Sequence, residues 1–190
     1  PQRRAVALMM RVLVPEPLDA ATFAPFGQVM AFDPAAARRV NDGWAQRADL
    51  AAALDAGGWQ GPPQLAVFRA RHQPLPAAIG FVERHPDSSQ VFMPLAPVGC
   101  LGVVAPAAAD GGPDLDAARA FLGAPGQGVN YRRGTWHAPI TATDADTDFL
   151  MLIWERGTPD DCVVVRLSAP LVVQPRPADG AALEETPHGA

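Results

Sequence analysis

Short apolar runs, closed in turn by proline, glycine or aspartate, recur along most of this 190-residue chain. They cover residues 11–14, 28–32, 65–70, 79–83, 90–96, 99–105, 139–142, 147–155 and 163–167. Valine, isoleucine, phenylalanine and threonine recur in them, as half-buried strands favour. Many short strands with turn signals between them predict an antiparallel barrel or a double-sheet jelly roll. Helix signals are few. Asp19 suits the N-cap of a one- to two-turn helix over residues 20–23, stopped by Pro25 and Gly27. Asp114, with Leu115, Ala118 and Leu122 at helical spacing and Gly123 behind them, predicts a second helix over residues 115–122. Residues 48–56 have helical propensity, cut short by Gly57-Gly58 and Pro62-Pro63. The fold class expected is therefore mainly all-β, a jelly-roll barrel with one or two short helices.

The length suits one domain with a real core, taken as residues 10–167. Residues 1–9 are expected to be an extension ahead of a start near Met10, and residues 168–190 a Pro/Ala-rich tail, partly disordered. A net charge of -5 argues against a nucleic-acid or anionic-membrane partner. No run approaches the roughly 18 apolar residues of a spanning helix. The apolar stretch after Arg3-Arg4 is interrupted by Arg11 and lacks a small-residue cleavage site, unlike a signal peptide. Cys100 and Cys162 lie in apolar strand-like runs. They are expected to be packing residues and free thiols in a reducing compartment, which points to the cytoplasm.

Chemistry concentrates in two segments. Residues 83–95 read Glu-Arg-His-Pro-Asp-Ser-Ser-Gln-Val-Phe-Met-Pro-Leu. In extended chain, side chains two apart share a face, so Glu83 and His85 point together and Arg84 points away. Pro86-Asp87-Ser88-Ser89 reads as a turn, after which Gln90, Phe92 and Pro94 share a face. Residues 130–137 read Asn-Tyr-Arg-Arg-Gly-Thr-Trp-His, with Trp136 turned to the core by alternation with His137. The two segments are expected to face one another across one pocket.

Together they resemble the ureidoglycolate lyase family of the cupin superfamily. The blocks that carry the resemblance are Glu83-Arg84-His85-Pro86 with Gln90-Val91-Phe92-Met93-Pro94, and Gly128-Val129-Asn130-Tyr131-x-Arg133-x-x-Trp136-His137-x-Pro139. Supporting blocks are Phe23-x-x-Phe26-Gly27, the Asn41 region, Phe68-Arg69-Ala70, Pro113-Asp114-Leu115-x-x-x-Arg119-Ala120-Phe121 and Thr147-Asp148-Phe149-Leu150. The resemblance spans residues 11–167. It implies a cupin-type double-stranded β-helix, a homodimer, and cleavage of (S)-ureidoglycolate to glyoxylate and urea in allantoin and purine catabolism. It also brings a divalent metal, nickel or manganese, as a cofactor to test. Glu83-x-His85, four residues, Gln90, and later Gly134-x-x-His137 keep the cupin ligand spacing, with two ligand types changed. Gln is a weak ligand beside imidazole. The metal set to test is Glu83, His85, Gln90 and His137.

Ureidoglycolate is a carbinolamide bearing a carboxylate. Its cleavage takes a proton from the hydroxyl and gives one to the departing urea nitrogen, with a cation on the carboxylate. His85 or His137 suits the base. Glu83 suits an acid, a ligand or an imidazole-orienting group. Arg69 and Arg133 are the candidates for the carboxylate fork, each equally suited to a structural ion pair. Asn41, Gln90 and Tyr131 can read the ureido end. Asp148 suits either a supporting partner of the site or a strand-end ion pair. Two rival readings of the same residues are a metal-dependent cupin oxygenase or isomerase, and a non-catalytic sensor of a small carboxylate.

Overall fold

A computed structural model describes residues 10–50 and 52–176. The extension at residues 1–9 and the tail beyond residue 176 lie outside them. The chain runs through β1 (Arg11–Leu13), β2 (Glu16–Pro17), the helix α1 (Ala20–Phe23), β3 (Gly27–Met30), β4 (Arg38–Val40), β5 (Ala45–Arg47), β6 (Gln64–Ala70), β7 (Ala77–Arg84), β8 (Gln90–Pro94) and β9 (Cys100–Ala105). It continues through β10 (Arg119–Gly123), β11 (Gly128–Tyr131), β12 (Trp136–His137), β13 (Thr141–Ala142), β14 (Thr147–Ile153) and β15 (Val163–Val173). The architecture is all-β and cupin-like, as the strand pattern predicts.

An eight-stranded sheet has the order β1-β15-β7-β12-β9-β10-β2, with β13 added on β9. A five-stranded sheet has the order β3-β11-β8-β14-β6, and β4-β5 form a separate hairpin. Alternation explains how the two large sheets pack. Cys100 and Val104 of β9 point at Phe92, Val129, Tyr131 and Phe149 of the facing sheet, in one core. Leu101, Val103 and Ala105 point the other way, into a second core with Val82, Trp136 and Leu171. All six residues of β9 are buried, which is why its sequence is an unbroken apolar run rather than an alternating one.

Asp19 caps α1, accepting from the Ala21 and Thr22 amides. The helix turns the wholly buried Phe23 onto Phe121, edge to face at 5.3 Å. The helix expected over residues 115–122 does not form. Asp114 does cap, accepting from the Asp116 and Ala117 amides, but the result is a single 3-10 turn, Leu115–Ala117. The chain then becomes β10, antiparallel to β9 and parallel to β2. Extended backbone sends Phe121 into one core and Ala120 with Leu122 toward the other; a helix would have put Leu115, Ala118 and Leu122 on one face and left β9 without a neighbour. Pairing overrode local propensity. Residues 48–56 likewise form no regular helix in their described part. The last strand, expected to stop at residue 167, runs to Val173 and pairs with both β7 and β1, burying Leu171 and Val173.

Because Phe23 is fully buried against Phe26, Phe121 and Tyr131, Phe23→Ala is expected to cost about 3–5 kcal/mol. Urea unfolding reads this as a lowered midpoint with an unchanged slope. A loss under about 1 kcal/mol would show that α1 is not part of the cooperative core.

Candidate active site

The two polar segments meet where the sheets face each other. Antiparallel pairing of β12 with β7 sets His137 opposite Glu83. His85 follows two residues along on the same face, its ring centre 5.7 Å from that of His137. Arg84 and Trp136 take the opposite face, the guanidinium lying 4.8 Å from the indole centre. From the other sheet, Gln90 of β8 reaches across to place its amide oxygen position 3.0 Å from His137 Nε2. Tyr131 of β11 stacks on the His137 ring at 4.2 Å. His85, Gln90, Tyr131 and His137 are all buried, and Glu83 is half-buried.

Both imidazoles are oriented by backbone. His85 Nδ1 donates to the Asp161 carbonyl and His137 Nδ1 to the Thr135 carbonyl, each at 2.9 Å. A neutral ring has one N–H to give, so in that form each Nε2 carries a lone pair. His85 Nε2 is buried with no hydrogen-bond partner. His137 is held neutral, its pKa pushed down to about 3 by burial, with His85 adding to the effect and the Thr135 carbonyl opposing it. Its 3.8 Å approach to Glu83 is therefore not an ion pair. A bare Nε2 also asks the Gln90 amide for its NH2 rather than its oxygen, and the two ends of that amide are isosteric. Burial raises the Glu83 carboxyl above its ordinary value, against the pull of His85 and of the Cys162 thiol. Burial likewise keeps the Tyr131 phenol protonated, its oxygen buried without a partner.

The donor set fits a divalent metal. One ligand atom from each of Glu83, His85 and His137 lies within 4.8 Å of the others. Two Nδ1–H groups anchored on carbonyls, with both Nε2 lone pairs turned inward, is the arrangement by which ligating histidines are fixed. Gln90 stands beside them, and with its amide turned the other way it would offer a weaker oxygen donor.

Arg133 is exposed and paired with Asp55 at 3.0 Å. The next residue, Gly134, donates its amide to the His85 carbonyl at 2.9 Å, which ties that turn to the cluster. The structure does not bring Arg69 there. Gln90 lies opposite Ile153, whereas Arg69 lies opposite Asp148, five residues and roughly 17 Å along β14 at 3.4 Å each. An odd offset also reverses the face. Arg69 is thus on the outer surface in a two-pronged pair with Asp148, at 2.7 and 2.8 Å, which is the structural ion pair of its two readings rather than the carboxylate fork. Asp148 is the strand-end partner. Asn41 lies in the exposed turn between β4 and β5 with a left-handed backbone, φ 52°, and that turn contacts the two strands of its own hairpin.

Sequence reading missed Asp161 and Cys162. Cys162 is half-buried, and its Sγ lies 3.8 Å from Glu83 Oε2, so it is more than packing. The signal lay only in the pairing of β15 with β7, which sets Val163 opposite Arg84.

A half-buried carboxylate and two buried histidines between the sheets of a cupin-like β-fold define a site suited to a small molecule. The sequence profile of the ureidoglycolate lyase family matches residues 10–174, and the chain belongs to that family. A ureidoglycolate lyase of Burkholderia cepacia is 39% identical over 168 residues, 88% of this chain and 93% of its own. One from Pseudomonas syringae pv. tomato is 36% identical over 173 residues, 90% of this chain and 100% of its own. One from Chelativorans sp. is 38% identical over 148 residues, 78% and 87% of the two chains.

The buried neutral ring predicts a pH-dependent stability. The unfolded chain protonates His137 near the ordinary 6.5 while the folded one resists to about 3. Between those values the unfolded state binds more protons, so stability rises with pH across that window and is lost on acidification. Urea unfolding of chelator-treated protein at a series of pH values is expected to show a steeper rise for wild type than for His137→Gln. Equal slopes would mean that His137 is not held neutral.

Proposed function

We propose that this chain is a ureidoglycolate lyase, cleaving (S)-ureidoglycolate to glyoxylate and urea within allantoin and purine catabolism. The observation that carries the chemistry is the bare, buried Nε2 of His85 beside a carboxyl whose ionisation burial opposes. His85 Nε2 takes the hydroxyl proton of the substrate. Electrons from that oxygen form the aldehyde carbonyl as the carbon–nitrogen bond breaks. Glu83, slow to ionise, gives its proton to the departing nitrogen, so protons and charge balance. The Asp161 carbonyl keeps His85 in the tautomer this requires, and His137, with Tyr131 stacked on it, walls the site against water. Arg133 exchanges Asp55 for the substrate carboxylate, a two-pronged contact suited to guanidinium. Gln90 offers its amide to the ureido end.

A second reading rests on the inward-turned lone pairs. Glu83, His85 and His137, with Gln90 in support, would hold a divalent metal, nickel or manganese. When bound, such an ion polarises the hydroxyl and carboxylate oxygens and lowers the demand on the base.

Glyoxylate release from racemic ureidoglycolate, by metal-stripped protein and by protein given nickel or manganese, tests both. The expected outcome is release from half the substrate, reduced at least about 100-fold in kcat by His85→Ala, as for loss of a general base. Arg133→Gln is expected to raise KM about tenfold or more, as for a lost charged contact worth roughly 1.5–3 kcal/mol. Full activity after stripping assigns the acid–base roles; activity only with added metal assigns the ligand roles. Folded protein that releases no glyoxylate under any metal condition would sink the proposal.

We also propose a homodimer formed along β6. This strand ends its sheet, and Leu65 and Val67 are 65% and 63% exposed on its outer face. An open apolar edge strand is a template for self-pairing. Sedimentation equilibrium is expected to give a dimer, shifted to monomer by Leu65→Lys with Val67→Lys; an unshifted dimer places the interface elsewhere. A cytoplasmic address is supported by two free cysteines, Cys100 and Cys162, and cell fractionation checks it.

A further inference from the structure

The backbone from Asp161 to Cys162 touches the cluster twice. The Asp161 carbonyl accepts from His85 Nδ1 at 2.9 Å. One residue on, the Cys162 thiol lies 3.8 Å from Glu83 Oε2, while the other carboxyl oxygen, Oε1, lies 3.8 Å from His137 Nε2. The two oxygens of Glu83 are thereby divided, one toward the thiol and one toward the imidazoles. The segment making these contacts is itself fixed. Asp161 closes a capping box at the 3-10 turn Pro159–Asp161, accepting from the Thr158 amide at 2.7 Å and the Arg156 amide at 3.0 Å. From Val163 onward the chain is locked to β7 by the ladder.

We infer that Cys162 is a positioning residue for Glu83. Its S–H donates to Oε2 and stops the carboxyl from rotating, so that Oε1 stays aimed at the two imidazoles. A thiol suits the task, being a weak S–H donor at this distance from the carboxylate. Cys162 acts through Glu83 and touches no substrate. The role holds whether Glu83 delivers a proton or ligates a metal, because both need one oxygen held toward the histidines. Outer partners that orient ligands and acids are typically worth 10- to 100-fold in metal affinity or activity.

The test compares wild type with Cys162→Ala, Cys162→Val and Cys162→Ser. Val fills the space without a donor, and Ser restores a donor. Three quantities are measured: kcat and KM for glyoxylate release, Ni2+ affinity of chelator-stripped protein by titration calorimetry, and Tm. The kcat arm rests on the lyase reading; the Ni2+ arm does not. Expected are a drop of about tenfold in kcat with KM within about twofold, and Ni2+ binding weakened about tenfold, in both Ala and Val. Ser recovers most of each loss, and Tm stays within a few degrees throughout. Ala and Val variants with wild-type kcat and Ni2+ affinity overturn the inference. So does a Ser variant no better than Ala, or a loss confined to KM. If wild type releases no glyoxylate, the lyase reading falls and the Ni2+ arm alone decides; a wild type that also takes up no Ni2+ overturns both.

Discussion

A neutral imidazole sealed between two sheets has to satisfy both nitrogens without water, and much of the site follows from meeting that demand at His137. Nδ1 is met within its own turn by the Thr135 carbonyl. Nε2 is met from the opposite sheet by Gln90, which makes the two sheets a single electrostatic unit as well as a hydrophobic one. Tyr131 covers the ring face and packs β11 against β12 through the stack. Leaving either nitrogen unmet would cost about 1–3 kcal/mol in a buried position. The register of β12 on β7 then follows, because a slip of one residue would send His137 to the Trp136 side and Trp136 into the gap between sheets.

The cluster is locally unfavourable. Burial opposes protonation of His137 and ionisation of Glu83, and His85 Nε2 is buried with no hydrogen-bond partner. A sheet built for stability alone would place apolar side chains at these positions, as β9 does at Val103 and Val104. Burial that displaces ionisation equilibria, as at His137 and Glu83, is a recurrent feature of acid–base and ligand sites. The surrounding aromatic core, with Phe23, Phe121, Phe149 and Tyr131 all essentially inaccessible to solvent, supplies the rigidity that keeps these groups from relaxing.

Alternation made much of this legible in the sequence. Period two correctly set Glu83 beside His85, turned Arg84 and Trp136 away from them, and put Gln90 with Phe92 on the inward face. It worked because those strands pair on both sides and cannot shift. The helix expected at residues 115–122 failed on a true local signal: the Asp114 cap is real, yet β9 needed a neighbour, and ladder pairing is a long-range term that no local window contains. Arg69 shows the same limit in another form. A guanidinium in a matched block suggested substrate, but only the register of β14 shows that Arg69 and Gln90 differ by an odd number of residues and so face opposite ways. Cys162 stood in an apolar run with no polar neighbour in sequence except Asp160 and Asp161. Its partner lies 79 residues away.

The loop at residues 52–58 follows from the same dependence on long-range contacts. It has no regular structure, yet it is stitched to the turn that leads into Gln90. The Asp55 amide donates to Ser89 Oγ at 2.9 Å, and the Ser89 amide donates back to the Asp55 carbonyl at 2.8 Å. Gly57, at φ 57°, brings its backbone so close to Asp87 that any side chain there would strike the carbonyl. On the outer face of the sheet, Asn130 donates to the Ala53 carbonyl and to Gln28, which holds the start of the loop. The carboxylate of Asp55 accepts from the Gly57 amide through Oδ1 at 2.8 Å and meets Arg133 through Oδ2 at 3.0 Å. The acid that pairs with the Arg133 guanidinium is thus carried by the same residue whose backbone braces the turn into Gln90. The exchange of Asp55 for a carboxylate that the proposed function asks of Arg133 would leave that brace in place, because the ion pair uses Oδ2 and the brace uses the backbone amide and carbonyl.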